Sequence, residues 1–181
     1  VSQNTTAAST IKGGSGDDEL TASTSGNTSI IDQVHTLIGG AGNDTLTANN
    51  GKSILTGGAG NDTFVINTAS YTVDYASTIT DLGSGDIIKF AGATSFAKLT
   101  DVPDLDGNPN LVQFANAAIN EAGLNDMVWF QYNNNTYIVM DANNNSSAFV
   151  NGEDFIVKIT GLVDLGTGAS FNDAGATGIL E

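Results

Sequence analysis

The chain has 181 residues, which suits one compact domain or a capped solenoid. It carries 20 Asp and Glu against five basic residues, all lysines (Lys12, Lys52, Lys89, Lys98, Lys158), for a net charge of −15. So few cations exclude nucleic acid and an anionic membrane surface as partners, and the absence of cysteine excludes disulfides, thiol chemistry and any zinc site built on Cys.

A hydrophobic fraction of 40% is enough for a core, and 22 glycines point to turns and strands rather than helices. So many carboxylates repel one another, so a compact fold needs a cation or a halophilic setting to offset them. No signal peptide and no apolar run of membrane length occurs, so no membrane insertion is expected. Val1 opens the sequence, and an excised or processed fragment is the expectation.

Ser9-Thr10-Ile11 is read as part of an incomplete coil. Three related stretches follow: Gly13-Gly14-Ser15-Gly16-Asp17-Asp18-Glu19-Leu20, Gly39-Gly40-Ala41-Gly42-Asn43-Asp44-Thr45-Leu46 and Gly57-Gly58-Ala59-Gly60-Asn61-Asp62-Thr63-Phe64. Each reads G-G-x-G-x-D-x-U, with U a large apolar residue. Glycine permits positive φ and lets carbonyl oxygens approach an ion. The Asp supplies an anionic ligand, and the apolar residue points into the fold while its neighbours point out. Calcium, a hard cation wanting six to eight oxygens, matches this mixture of carbonyls and carboxylates. The candidate metal residues are therefore Gly13, Ser15, Gly16 and Asp18, then Gly39, Ala41, Gly42 and Asp44, then Gly57, Ala59, Gly60 and Asp62.

The second and third stretches begin 18 residues apart, which is two nonapeptides and one full coil. They should stack on the same edge. Between them, Ala48 to Thr56 keeps the glycine (Gly51) and the apolar residue (Leu55) but has Ser53 in place of Asp, so it reads as a metal-free turn on the opposite edge. Ser23 to Ser29 reads as a similar turn, and Ile30 to Ile38 as a longer return strand, which puts the first stretch on the metal edge. Reading 22–38 as two short repeats would put it on the other edge. His35, the only histidine, is expected on the outer face of its strand.

Ile66 to Ala76 reads as the way out of the coils. Ile79 to Phe90 reads as strand, tight turn, strand, and its Asp81 and Asp86 either close a last calcium site or serve only the turn. Asp104 to Gly107 is expected to be an acidic turn. Asn110 should cap a helix carrying Leu111, Phe114, Ala118, Ile119 and Ala122 on one face, stopped by Gly123. Val128–Tyr132 and Thr136–Asp141 read as a hairpin over three asparagines. Asp141 to Ser146 resembles the start of a calcium loop, but Ser146 stands where glycine is needed, so a plain turn is preferred. Phe155–Thr160 reads as a final strand. Trp129, Phe130, Tyr132 and Tyr137 are expected in the core, with a sugar-binding platform as the alternative.

The sequence shows no nucleophile paired with a base, no phosphate-cradling loop and no H-E-x-x-H, so no enzymatic activity is expected.

The glycine–aspartate stretches resemble the RTX calcium-binding repeat over residues 13–64, extending through 79–90. The resemblance implies a mainly all-β fold: a parallel β-roll over 1–76 and a mixed β cap with one short helix over 77–181. Two or more Ca²⁺ ions and export by type I secretion machinery are implied with it. A looser likeness, carried by Trp129 to Tyr132, Asn135 to Asp141 and Phe149 to Gly161, is to the ends of bacterial surface-layer proteins of this class. It implies an extracellular location at the cell surface, a secretion signal near the C-terminus, and assembly with other surface-layer subunits or cell-surface polysaccharide. A similar module on a large adhesin, or beside a secreted enzyme such as an alginate epimerase or a serralysin-like protease, is the alternative.

Overall fold

The computed structural model describes residues 2–5, 8–24, 34–49, 52–67, 73–93, 95–100, 109–142, 148–166, 171–173 and 177–180. In chain order the strands are β1 (Ser2–Thr5), β2 (Thr10–Ser15), β3 (Glu19–Thr24), β4 (Val34–Ala41), β5 (Thr45–Ala48), β6 (Lys52–Ala59), β7 (Thr63–Ile66), β8 (Ser77–Ile79), β9 (Ile87–Ala91) and β10 (Ser95–Lys98). Helix α1 (Leu111–Glu121) follows, then β11 (Asp126–Tyr132), β12 (Asn135–Met140), β13 (Phe155–Thr160), β14 (Phe171–Asp173) and β15 (Thr177–Leu180).

The chain alternates between two sheets. Sheet one has the order β1-β3-β5-β7-β9-β15-β14, and sheet two β10-β11-β12-β13-β8-β6-β4-β2. Within the coiled part every neighbouring pair is parallel. This is a parallel β-roll, and it explains the sequence alternation. In β4 and β6 every second residue is buried and the others face outward.

Register turns the repeat into ladders of like residues. Ile11, Leu37, Leu55, Ile79 and Ile159 occupy matching positions on successive strands of sheet two. Leu20, Leu46, Phe64 and Ile88 do the same in sheet one. All are buried in one core cluster. Each such side chain contributes about 1.5–3 kcal/mol on burial.

Three readings need correction here. The roll does not end at Ile66: residues 68–72 lie outside the described residues, but a 3-10 turn at Val73–Tyr75 leads into β8, which pairs in parallel with β6. Ile79 extends the Leu37–Leu55 ladder and draws the strand back. His35 is not on an outer face. It lies two residues before Leu37, on the inward side of β4, and is 1% exposed. Ser53 is likewise inward on β6 and fully buried, not part of a surface turn.

Beyond the coils, β11 and β12 form the expected hairpin. Its turn residues Asn133 and Asn134 both have positive φ, 47° and 59°, as the tight two-residue turn requires. Asn110 caps α1 in a reciprocal box with Gln113. Phe114, Ala115, Ala118 and Ile119 are the buried residues of α1 and share a second core cluster with Phe130 and Tyr137. Phe114 stacks on Phe130 at 5.3 Å, and Phe130 on Tyr137 at 5.7 Å. Trp129 turns the other way, into the roll core, and donates to the Gly166 carbonyl at 3.1 Å. The buried Asp154 carboxylate accepts from the backbone of Ala142 and Val150, tying the ends of that loop. The acidic stretch 104–107 and residues 143–147 lie outside the described residues.

Candidate metal centre: four stacked acidic turns

The turns 13–18, 39–44, 57–62 and 81–86 each carry the chain from sheet two to sheet one, and so lie on one edge of the roll. Register places Gly14, Gly40 and Gly58 side by side, and likewise Ser15, Ala41 and Ala59. The first stretch is therefore on the same edge as the other two; most of the intervening turn and return strand, residues 25–33, lies outside the described residues.

Glycine is required by the stacking. Gly40 has φ 124°, and a β-carbon there would collide with the Gly14 carbonyl. The Gly16 N–H donates to the Ala41 carbonyl at 2.7 Å, and the Gly42 N–H to the Ala59 carbonyl at 2.8 Å.

The Asp side chains bind the turns together. Asp44 Oδ1 accepts the N–H of Asp18, Asp62 Oδ1 that of Asp44, and Asp86 Oδ1 that of Asp62, each at 2.8 Å. Every carboxylate reaches back one turn. A second ladder runs forward: Asp17 Oδ1 accepts the Asn43 N–H at 2.7 Å, and Asn43 Oδ1 the Asn61 N–H at 2.8 Å. Asp17, Asn43 and Asn61 were not singled out from sequence, although the fifth repeat position is Asp or Asn in all three copies.

The second oxygens converge on carbonyls. A β-carbon built on Gly13 would sit 2.6 Å from Asp18 Oδ2 and 2.7 Å from the Gly39 carbonyl oxygen. One built on Gly39 would strike Asp44 Oδ2 and lie 2.6 Å from the Gly57 carbonyl oxygen. One built on Gly57 would strike Asp62 Oδ2. Asp44 Oδ2 is buried and has no hydrogen-bond partner. Asp44 and Asp62 are each 1% exposed, and among the described residues no ammonium pairs with either. Buried, unpaired carboxylates are costly unless a cation joins them.

Burial pushes the Asp62 carboxyl above the usual range, and the charges of Asp86, Asp44 and Asp81 push it further, against the lowering effect of the Asp44 N–H. The turns thus hold crowded negative charge. Among the described residues no trio of acidic or histidine side chains converges, so a cation here would rely on backbone carbonyls for most of its ligands. A carboxylate oxygen beside a carbonyl in a glycine cradle is the donor set of a hard, oxygen-seeking cation, and Ca²⁺ fits it.

The fourth turn differs. Asp81 spends both oxygens on the preceding turn, accepting from Gly57 N at 3.0 Å and Gly58 N at 2.9 Å. Asp86 Oδ2 accepts from Gly83 N at 2.8 Å. Their visible work is to close the stack.

Among curated proteins none matches this chain. The family model of the RTX calcium-binding nonapeptide repeat (4 copies) matches residues 5–28 and 36–65, the part of the chain that builds the first three turns. With the parallel β-roll and the aligned acidic turns, that match supports RTX calcium-binding repeats in this part of the chain and suggests a calcium-binding module of a secreted protein.

Proposed function

We propose that this chain is a non-enzymatic module whose folding is driven by calcium, located toward the C-terminus of a secreted bacterial surface-layer protein. The observation that carries the calcium part is the buried, partnerless Asp44 Oδ2 beside the Gly57 carbonyl. Without a cation, the stacked carboxylates repel and the glycines favour the unfolded chain. Calcium binds the folded turns and not the open chain, so it draws the equilibrium toward the roll. A chain that stays open where calcium is scarce suits passage through a type I exporter, and it folds once outside. The likeness of 129–132, 135–141 and 149–161 to the ends of surface-layer proteins supports the choice of parent.

Circular dichroism in EGTA, then in millimolar calcium, tests the folding part. A large gain of strand signal on adding calcium is expected, and an unchanged spectrum would refute it. Turnover of any peptide or polysaccharide by the pure chain would overturn the non-enzymatic reading.

A further inference from the structure

Away from the turns, a pocket of about 190 Å³ opens on the outer face of sheet two. Register builds it. Tyr137, Lys158 and Thr78 stand in one row across β12, β13 and β8. Lys52 lies on β6, one pleat step from Ile54, which pairs with Thr78. Val73, Asp74 and Ala76 in and beside the 3-10 turn and Leu111, the first residue of α1, complete the lining.

The charge of this pocket runs against the rest of the molecule. Two of the chain's five lysines line it, although the net charge is −15. Neither ammonium pairs with a carboxylate among the described residues. Lys52 Nζ donates instead to the Asp74 backbone carbonyl at 3.3 Å and sits 6.0 Å from the centre of the Tyr75 ring. Both lysines are half-buried, so their positive charge is concentrated at the pocket.

We propose that this pocket binds one acidic sugar unit, with its carboxylate between Lys52 and Lys158. Two ammoniums against the single Asp74 carboxylate leave room for one negative charge. The Asp74 carboxylate and the Thr78 hydroxyl offer partners for ring hydroxyls. The Tyr137 phenol, neutral at pH 7 like any ordinary phenol and pushed further up by burial and by the nearby Tyr132 and Asp74, offers a hydroxyl donor. Leu111 supplies apolar surface for the C–H face of a sugar ring. The volume is below that of drug-sized sites and admits a single ring. A dianion such as phosphate is disfavoured by Asp74 and by the acidic surroundings.

The test is calorimetric titration of the whole calcium-loaded chain with D-glucuronate, D-glucose and acetate. Glucuronate should bind about tenfold more tightly than either of the others. Lys158→Gln and Lys52→Gln should each weaken it about fivefold, the scale of one solvent-facing ion pair, with calcium binding unchanged. If Lys52→Gln fails to fold, Lys158→Gln decides alone. Binding of acetate as tight as glucuronate would overturn the sugar assignment, and binding of glucose as tight would overturn the role of the lysines. Glucuronate binding that survives the lysine substitutions would mean that calcium captures the carboxylate, and the proposal would fall.

Discussion

The carboxylate of Asp44 joins two turns: one oxygen accepts the backbone N–H of Asp18 at 2.8 Å, and the other is buried against its own turn without a partner. Asp44 therefore couples a structural bond to a candidate metal ligand. Asp44→Ala should lower apparent calcium affinity at least tenfold. A hydrogen bond to a charged group is worth about 1.5–3 kcal/mol, and the metal ligand is lost with it. Asp44→Asn keeps an acceptor for the Asp18 amide but loses the charge, so it should retain more of the fold while still binding calcium weakly. Titration calorimetry of both variants separates the two roles. Equal behaviour of Asn and Ala would show that the charge alone matters.

Gly40 and Gly14 occupy matching positions, yet their surroundings differ. A β-carbon on Gly40 meets the Gly14 carbonyl, whereas one on Gly14 meets nothing within 4 Å. Both have positive φ, 124° and 131°, so both alanine substitutions are strained. Gly14→Ala should cost about 1 kcal/mol, and Gly40→Ala well above that. The calcium midpoint of the folding transition, followed by circular dichroism, should shift further for Gly40→Ala.

Ser53 is fully buried and its hydroxyl has no partner, while its N–H donates to Ser77 Oγ at 3.1 Å. Ser53→Ala removes the orphaned hydroxyl and keeps the backbone bond. It should be neutral or stabilise the calcium-loaded chain, by up to about 1 kcal/mol. A clear fall in the thermal midpoint would show that the hydroxyl is satisfied in solution, for example by a trapped water.

His35 is expected to make the roll sensitive to mild acid. Its Nδ1 bonds to Ser9 Oγ at 2.9 Å, its Nε2 is buried without a partner, and burial lowers its pKa. Its register partner Ser53 carries no charge, and Lys12 and Lys52 sit on the other side of the pleat. A lowered folded-state pKa means that the unfolded chain takes up the proton first. The neutral-His contribution is then fully present above the unfolded value of about 6.5 and is lost as pH falls toward the folded one. In saturating calcium, the loss of thermal stability between pH 7.5 and pH 5.5 should be smaller in His35→Leu than in the unmodified chain. Equal losses would place the acid sensitivity elsewhere.

The coils were legible in the sequence because the repeat writes its pairing locally. Asp18, Asp44 and Asp62, with Leu20, Leu46 and Phe64, mark both the turn and the inward face, and coil length sets the edge. The return of the chain through Val73–Tyr75 into β8 was not legible, because Ser77–Ile79 is too short to show a period. The pairing of Val157–Ile159 with Ser77–Ile79 depends on contacts distant in sequence. His35 was misplaced because a lone histidine was weighed by polarity rather than by its two-residue offset from Leu37. The turn at 81–86 was found, but its part was not: only the structure shows Asp81 holding the amides of Gly57 and Gly58. The lysine pocket was invisible because its residues meet only through register.

Strand β8 lies between β6 of the coils and β13 of the C-terminal half, bonded in parallel to both. Among the described residues the coils and the C-terminal strands therefore share β8 as a common strand. Tension applied from the N-terminal side would peel the coils away one after another, as a zip opens. The same tension reaching β8 must shear two ladders at once. Loss of coils from the β1 side therefore reaches its hardest step at β8, where one strand is held by two neighbours.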